Sequence, residues 1–247
     1  MKQFVLLLVI TVVLFSCHKN ETLNTPNIHD YYPLVVGKWV TYDMDSTVFT
    51  NFGRSIEVHH YQAMDSIDAE IIDNLGRPAF RVLRFIRTDA SKPWQPNNTF
   101  MAVPSGNTIE LIENNLRFQK LKMPITQYFS WKGNSFIDIS IYSDVRYLED
   151  WDYTYDSINY PLVLPTTYVD STIKVAHRDE YLGGDVNDPL TLYAEKNFSE
   201  EKYAKGIGLV WRDFIHWQYQ GSSDGSTTPS HYEESSYGIR LSMIDHN

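Results

Sequence analysis

From Tyr31 onward the chain alternates apolar and polar residues in short runs separated by turn residues. A period of two marks strands with one buried face. Tyr61, Ala63, Ile67, Ala69 and Ile71 fall on one strand face, Asn74-Leu75-Gly76-Arg77 supplies a turn, and Ala79 to Thr88 returns as the second arm of a hairpin. Ser105-Gly106-Asn107 before Ile109 and Leu111, and Asn114-Asn115 before Leu116 and Phe118, mark a further meander. Val169, Ile173 and Val175 alternate with Asp170, Thr172 and Lys174, and Ile239, Leu241 and Met243 alternate with Arg240 and Ser242. One stretch is apolar on both faces: Leu209, Trp211, Ile215, Trp217 and Tyr219 share one side, and Val210, Arg212, Phe214, His216 and Gln218 the other. That suits a central strand covered twice, or a curved sheet around a lined cavity. The pattern predicts a mainly β chain: a single antiparallel curved sheet, a half-barrel or a β-sandwich, with little helix. Residues 89–98 and 221–236 read as loops, the second a polar, mobile hairpin loop. Over 198–205, Ser199 with Glu200 and Glu201 reads as the capped start of one helical turn.

The first residues follow a different pattern. Met1-Lys2-Gln3 carries one positive charge, Phe4 to Phe15 is unbroken apolar sequence, and Ser16-Cys17 follows. These are the parts of a secretory signal, and the apolar run is shorter than the ~20 residues a transmembrane helix needs. Leu14-Phe15-Ser16-Cys17 resembles the lipobox of bacterial lipoproteins, although Phe15 is bulkier than the usual occupant. The resemblance implies cleavage before Cys17 and acylation of its sulfur and amine, and two or more acyl chains give stable anchoring. The division expected is therefore 1–16 signal peptide, 17–30 lipidated Cys17 with a flexible tether, and 31–247 a single β-rich domain. Stretched fully, the tether reaches roughly 40 Å at about 3.3 Å per residue. Cys17 is the only cysteine, so the acylated protein has no disulfide, thiolate nucleophile or Cys-ligated metal. His18-Lys19-Asn20-Glu21 lacks the acidic run some surface-displayed lipoproteins carry, which points to the periplasmic face of the outer membrane.

Four segments, YYPLVVGKWVTYDMDS (31–46), WKGNSF (131–136), YAKGIGLVWRDF (203–214) and YGIRLSMIDHN (237–247), together resemble a family of exported, often lipid-anchored β-rich proteins of Bacteroidota type. The resemblance covers most of the mature chain as short islands. It implies a location and a β fold, and no catalytic residue.

Charge narrows the partners. The formal net charge is −10, and loss of Lys2 with the signal takes it to −11. Phosphate backbones and anionic lipid surfaces repel such a body, so nucleic acid is not an expected partner and the lipid must provide membrane attachment. No cofactor fingerprint is present. There is no G-x-S-x-G elbow, and Ser171 and Lys174 of the one Ser-x-x-Lys match point to opposite strand faces. His59 and His60 are adjacent, while His177 with Asp179 and Glu180, and His231 with Glu233 and Glu234, form loose groups without zinc spacing; they read as surface histidines. Asp185, Asn187 and Asp188 offer oxygen ligands for calcium but are equally turn residues. Paired carboxylates, Asp43 with Asp45 at about 7 Å along a strand and Glu149, Asp150 and Asp152 around Trp151, would suit a glycan hydrolase. With six Trp and 17 Tyr, ligand stacking is open: Trp94 and Trp151 are the expected exposed aromatics, and Trp211 and Trp217 the candidates for lining a cavity. The reading is a lipid-anchored envelope protein that is not an enzyme and binds an apolar molecule, a glycan or another envelope protein. A carboxylate-based glycan hydrolase and a calcium-stabilised adhesion module are the alternatives.

Overall fold

The computed structural model describes residues 26–141, 143–223 and 227–247, so the expected signal and Cys17 lie outside the described residues. One helical turn, α1 (Ile28–Tyr31), precedes β1 (Trp39–Thr50), β2 (Ser55–Ile72), β3 (Pro78–Arg87), β4 (Gln95–Ser105), β5 (Thr108–Glu113), β6 (Leu116–Lys122) and β7 (Ser130–Lys132). A short 3₁₀ segment, Ser143–Leu148, leads to β8 (Asp152–Val163), β9 (Tyr168–Gly183), β10 (Tyr193–Ala204), β11 (Gly208–Gln220), β12 (His231–Tyr232) and β13 (Tyr237–His246). All belong to one 13-stranded antiparallel sheet, ordered β6-β5-β4-β3-β2-β1-β13-β11-β10-β9-β8-β7, with β12 paired to β11. The mainly β, single-sheet expectation holds, and the described residues form one sheet rather than the two of a sandwich. The C-terminal β13 joins the halves, lying between β1 and β11 with Met44 opposite Leu241 and Leu241 opposite Arg212.

The sheet curls until its edges meet. The backbone N–H of Gln119 on β6 donates to the carbonyl of Gly133 just beyond β7 (2.8 Å). Trp131 Nε1 donates to the Gln119 carbonyl (2.8 Å). The Tyr155 hydroxyl on β8 both accepts from the Lys122 N–H (3.0 Å) and donates to its carbonyl (2.8 Å). This near-closure covers part of the unpaired edges that invite aggregation. It also needs a close approach at Gly133, where an added Cβ would sit 2.4 Å from Tyr153 ring atoms. Gly133→Ala should therefore destabilise the fold by about 1–3 kcal/mol, the usual range for overpacking; an unchanged urea midpoint would show that the seam has slack.

The predicted β2–β3 turn forms because Asp73 accepts from the Leu75 and Arg77 backbone N–H groups and the Arg77 side chain (2.9, 2.9 and 2.8 Å). Several expectations need correction. A register shift between Ile67 and Ala69 breaks the common face expected from Tyr61 to Ile71, and the bulged Asp68 pairs with Arg81 outside (2.5 Å). Residues 95–98, expected in a loop, begin β4. Residues 198–205 form no helical turn: most belong to β10, because Asn197, Ser199, Glu201 and Tyr203 alternate into the interior and find polar partners there. The 221–236 loop contributes β12, whose Tyr232 N–H donates to the Gly53 carbonyl (2.8 Å).

Residues 28–30, expected in the tether, belong to the folded body. Asn27 caps α1 by accepting from the His29 N–H (3.1 Å). Ile28 and Tyr31 are buried with Ile109, Leu121 and Ile125. Full burial of a side chain such as Ile28 contributes about 1.5–3 kcal/mol, enough to hold the turn in place. The Gly206 N–H donates to the Asp30 carbonyl (2.6 Å), so the entering chain closes the barrel end where the β10–β11 turn lies.

Candidate functional site

The barrel interior is not uniformly apolar. Strands β10, β11, β9, β5 and β6 send Glu201, Arg212, His177, Glu113 and Lys120 inward, where they meet as a belt. Lys120 Nζ lies 2.7 Å from Glu201 Oε1, and both residues are almost fully buried (4 % and 1 % exposed). Arg212 Nη1 donates to Glu113 Oε2 at 3.4 Å, and its Nε is 3.6 Å from Glu201 Oε1. The Tyr203 hydroxyl donates to Glu201 Oε2, and His177 Nε2 lies 3.5 Å from the same oxygen. A second pair, Arg84 with Asp65, is bidentate at 2.6 Å for both bonds and joins β3 to β2. Arg84 also lies over the Phe100 ring, 4.8 Å from its centroid.

Electrostatics follow from that packing. Burial opposes ionisation of Glu201, but Lys120, His177 and Arg212 outweigh it and hold the carboxyl below its usual range. Burial also opposes ionisation of Glu113, and Arg212, Arg84 and Lys120 outweigh it in the same direction. For Lys120 burial wins, lowering the ammonium below the ordinary lysine range despite Glu201. Burial lowers His177 to about 3, so the imidazole is neutral at physiological pH. Three cations (Lys120, Arg84, Arg212) face three carboxylates (Asp65, Glu113, Glu201), so the charges of the belt and of the Arg84–Asp65 pair cancel.

Two cavities flank the belt and share Glu113, Lys120 and Arg212 as a wall. The smaller, about 70 Å³, lies toward α1 between Tyr32, Tyr42, Ile67, Arg84 and Leu209. The larger, about 290 Å³, lies toward the other end of the barrel among Leu116, Phe118, Tyr147, Trp151, Phe214 and Tyr237. Its rings are ordered by stacking: Trp151 on Phe214 (6.1 Å, 26°), Phe214 on Tyr237 (5.0 Å, 25°) and Tyr147 on His216 (3.6 Å, 11°). The exposed Asn114 and Asp144 line its rim. His177 stacks on Tyr153 (3.8 Å) and its Nδ1 is 2.9 Å from Ser199 Oγ. His177 Nε2 and Arg212 Nε are buried without a hydrogen-bond partner.

Of the residues singled out from the sequence as candidates, Trp151 and His177 reach the larger cavity and the others sit elsewhere. Trp151, expected to be exposed, is 1 % exposed, and its Nε1 donates to the Tyr147 carbonyl (2.7 Å). The correction is physical: the largest apolar surface in a run of acids turns inward and sends Glu149, Asp150 and Asp152 to solvent, where Lys132 lies 3.6 Å from Asp150 and 3.3 Å from Asp152. Trp151 does line the larger cavity. Trp211 and Trp217 line neither cavity. A register shift between Lys202 and Tyr203, opposite Val210, brings Leu209 inside, while Trp211 lies outside under Lys202 Nζ (4.1 Å). Trp217 packs outside against Tyr181 and Tyr232. Trp94 is half-buried, with the Arg87 guanidinium 4.2 Å from its ring centroid. Asp185 accepts from the Asn187 backbone N–H and Nδ2 (both 2.9 Å), and Asp188 from the Leu190 N–H (2.9 Å), so these side chains serve their own turn. Among the described residues no group of three or more His, Cys, Asp or Glu could hold a metal ion. Asp43 is exposed, and Asp45 is hydrogen-bonded to His60 Nδ1 (2.6 Å). His177 and His216, read as surface histidines or left unremarked, are buried. The belt itself escaped the sequence reading. Its one local trace is the alternation Glu195, Asn197, Ser199, Glu201, Tyr203, which resembles a solvent-facing stripe until partners from other strands are known.

No protein-family model matches the chain, and no curated protein matches it. Among solved structures it is similar to a protein of Bacteroides fragilis NCTC 9343 described as exported and YmcC-like in fold, with TM-score 0.42 and 10 % identity over 88 % of this chain and 98 % of that one. It is also similar to a protein of Parabacteroides distasonis ATCC 8503 described as a lipoprotein, with TM-score 0.37 and 10 % identity over 88 % and 98 % of the two chains. Likenesses this distant carry nothing about what the chain does.

Proposed function

We propose that the chain is a lipid-anchored envelope protein, held through Cys17 on the periplasmic face of the outer membrane, that binds a small, mostly apolar molecule inside its barrel without chemically changing it. The observation that supports this is the larger cavity. A space of about 290 Å³ is walled by rings that stack on one another without filling it. That volume lies near the lower end of the roughly 300–1,000 Å³ typical of small-molecule pockets. The ionisable groups bordering it are largely engaged with one another, which suits a binding site better than an acid–base pair. The described chain begins beside the β10–β11 turn, at the barrel end opposite Asn114 and Asp144. A tether leaving there would turn the cavity rim away from the anchoring membrane.

The binding test is a titration with N-phenyl-1-naphthylamine, an uncharged probe that fluoresces in apolar surroundings. Saturable one-to-one binding is expected. It should be lost in Ile239→Trp, which fills the cavity wall, and kept in Ile215→Trp on the outer face of β11. Equal binding by both variants would remove the interior site. The placement has its own test: mass spectrometry of the protein from bacterial membranes should find residue 17 acylated at the N-terminus, and an unmodified thiol there would rule out the anchor.

A further inference from the structure

Building on that reading, we infer that the larger cavity selects an uncharged ligand, one with a flat apolar body and a hydrogen-bonding oxygen that accepts from the vacant N–H of Arg212. Three observations converge on this.

The first is charge balance. The belt bordering the cavity pairs Lys120 and Arg212 with Glu113 and Glu201, and the Arg84–Asp65 pair beyond it is neutral as well. A ligand anion would leave one uncompensated negative charge in a closed interior, and a ligand cation one positive charge. Either loses its hydration without gaining a counter-ion, which is costly at a buried site. The rim adds Asp144 to a protein of formal charge −10, so anions are also repelled on approach.

The second is the unmet donor. Arg212 is the one guanidinium lining both cavities beside the belt. Among the described residues its only hydrogen bond to a side chain is stretched, at 3.4 Å to Glu113, and its Nε has no hydrogen-bond partner, with Glu201 3.6 Å away. A guanidinium carries five donors in a rigid fork, and buried donors without partners are rare in folded proteins. His177, 3 % exposed, presents a second unpartnered nitrogen, Nε2, to the same cavity. Both nitrogens lie within 3.6 Å of the Glu201 carboxylate, so they mark one hydrogen-bonding corner of a cavity whose lining mixes polar groups with rings. Because burial keeps the imidazole neutral, the corner gains no positive charge from it.

The third is shape. Trp151, Phe214 and Tyr237 stack at interplanar angles of 26° and 25°, which leaves near-parallel faces along one wall. Flat ring systems pack against such faces in offset stacks.

The test uses four probes with one two-ring body: 2-methylnaphthalene, 2-naphthamide, 2-naphthoate and 2-naphthylmethylammonium. Affinities are read at pH 7 on the whole folded domain from quenching of tryptophan fluorescence, since Trp151 lines the cavity. The amide is expected to bind roughly tenfold or more tightly than methylnaphthalene, the size of one hydrogen bond to a charged donor, and more tightly than either ion. In Arg212→Lys, which keeps the charge and removes the Nε donor, the amide should lose that advantage while methylnaphthalene binds as before. Methylnaphthalene thereby reports that the cavity is intact in the variant. Naphthoate or the ammonium binding as tightly as the amide would overturn the selectivity, and an amide advantage that survives Arg212→Lys would overturn the role of Arg212. If neither methylnaphthalene nor N-phenyl-1-naphthylamine binds the unaltered protein, the carrier reading fails and this inference fails with it.

Discussion

Glu201→Gln is expected to cost the protein about 3–5 kcal/mol of stability, the range measured when one partner of a buried ion pair is removed. The substitution is nearly isosteric, so packing around β10 changes little and the loss is electrostatic. Lys120 would keep its place at 4 % exposure but lose the carboxylate 2.7 Å away, and Arg212 would lose one of its two anionic neighbours. A loss of that size is a large part of the 5–15 kcal/mol that holds a typical domain together. The double variant Lys120→Met/Glu201→Gln should be much less destabilised than the sum of its single variants, because no orphaned ammonium remains. Urea denaturation of the four proteins in the cycle gives the coupling directly. If Glu201→Gln costs less than about 1 kcal/mol, within the range of exposed pairs, the belt is hydrated and the barrel is more open than described.

Acidification should weaken the fold well above the pH at which carboxylates titrate. Burial lowers His177 to about 3 and His216 to about 4, against an ordinary imidazole value of 6.5. Between those values and 6.5 the unfolded chain takes up protons that the folded chain refuses, so stability falls as pH falls. The fall is about 1.4 kcal/mol per pH unit for each imidazole. From pH 6.5 to 5 the two histidines together should remove roughly 3 kcal/mol, because at pH 6.5 the unfolded imidazoles are only half protonated. The loss continues to about 4 for His216 and about 3 for His177, and it is absent above pH 7. Glu201, whose folded value is depressed, keeps its contribution above the ordinary carboxylate range and loses it only as pH falls below that range. The two windows are therefore separable. Urea midpoints at pH 7.5, 6.5, 5.5 and 5.0 test the first, with His177→Gln expected to reduce the slope by about half. A midpoint that does not move between pH 7.5 and 5.0 would mean that both imidazoles can ionise in the folded state.

What was legible from residues alone is what depends on near neighbours. The period of two locates most of the strands, because a side chain's face follows from its own backbone. The Asn74–Arg77 turn was readable because Asp73 and Arg77 make it with groups at most four residues apart. Gly-Gly-Asp at 183–185 was ambiguous between turn and ion site for the same reason, since local hydrogen bonding and metal ligation use the same atoms. Strand β11 could be divided into two faces, but a one-residue bulge exchanges which face Leu209 joins, and no spacing rule announces it.

The polar interior depends on the curling of the sheet, which no local pattern encodes. Lys120 and Glu201 are 81 residues apart and meet only because β6 and β10 come to face each other across the barrel. The stretch 198–205 reads as a helix start because Ser199, Glu200 and Glu201 suit a capped first turn, and charge in a strand ordinarily faces water. Inside this barrel a partner of opposite charge takes the place of water. From the primary structure alone come the alternation, the turns, the export-like start and the excess of acid. Folding in three dimensions added which side of each strand is inside, that the inside is polar, and that Trp151 rather than Trp211 or Trp217 faces its cavity. Those outcomes rest on contacts between distant strands, whose energies depend on burial and pairing that only the closed sheet creates.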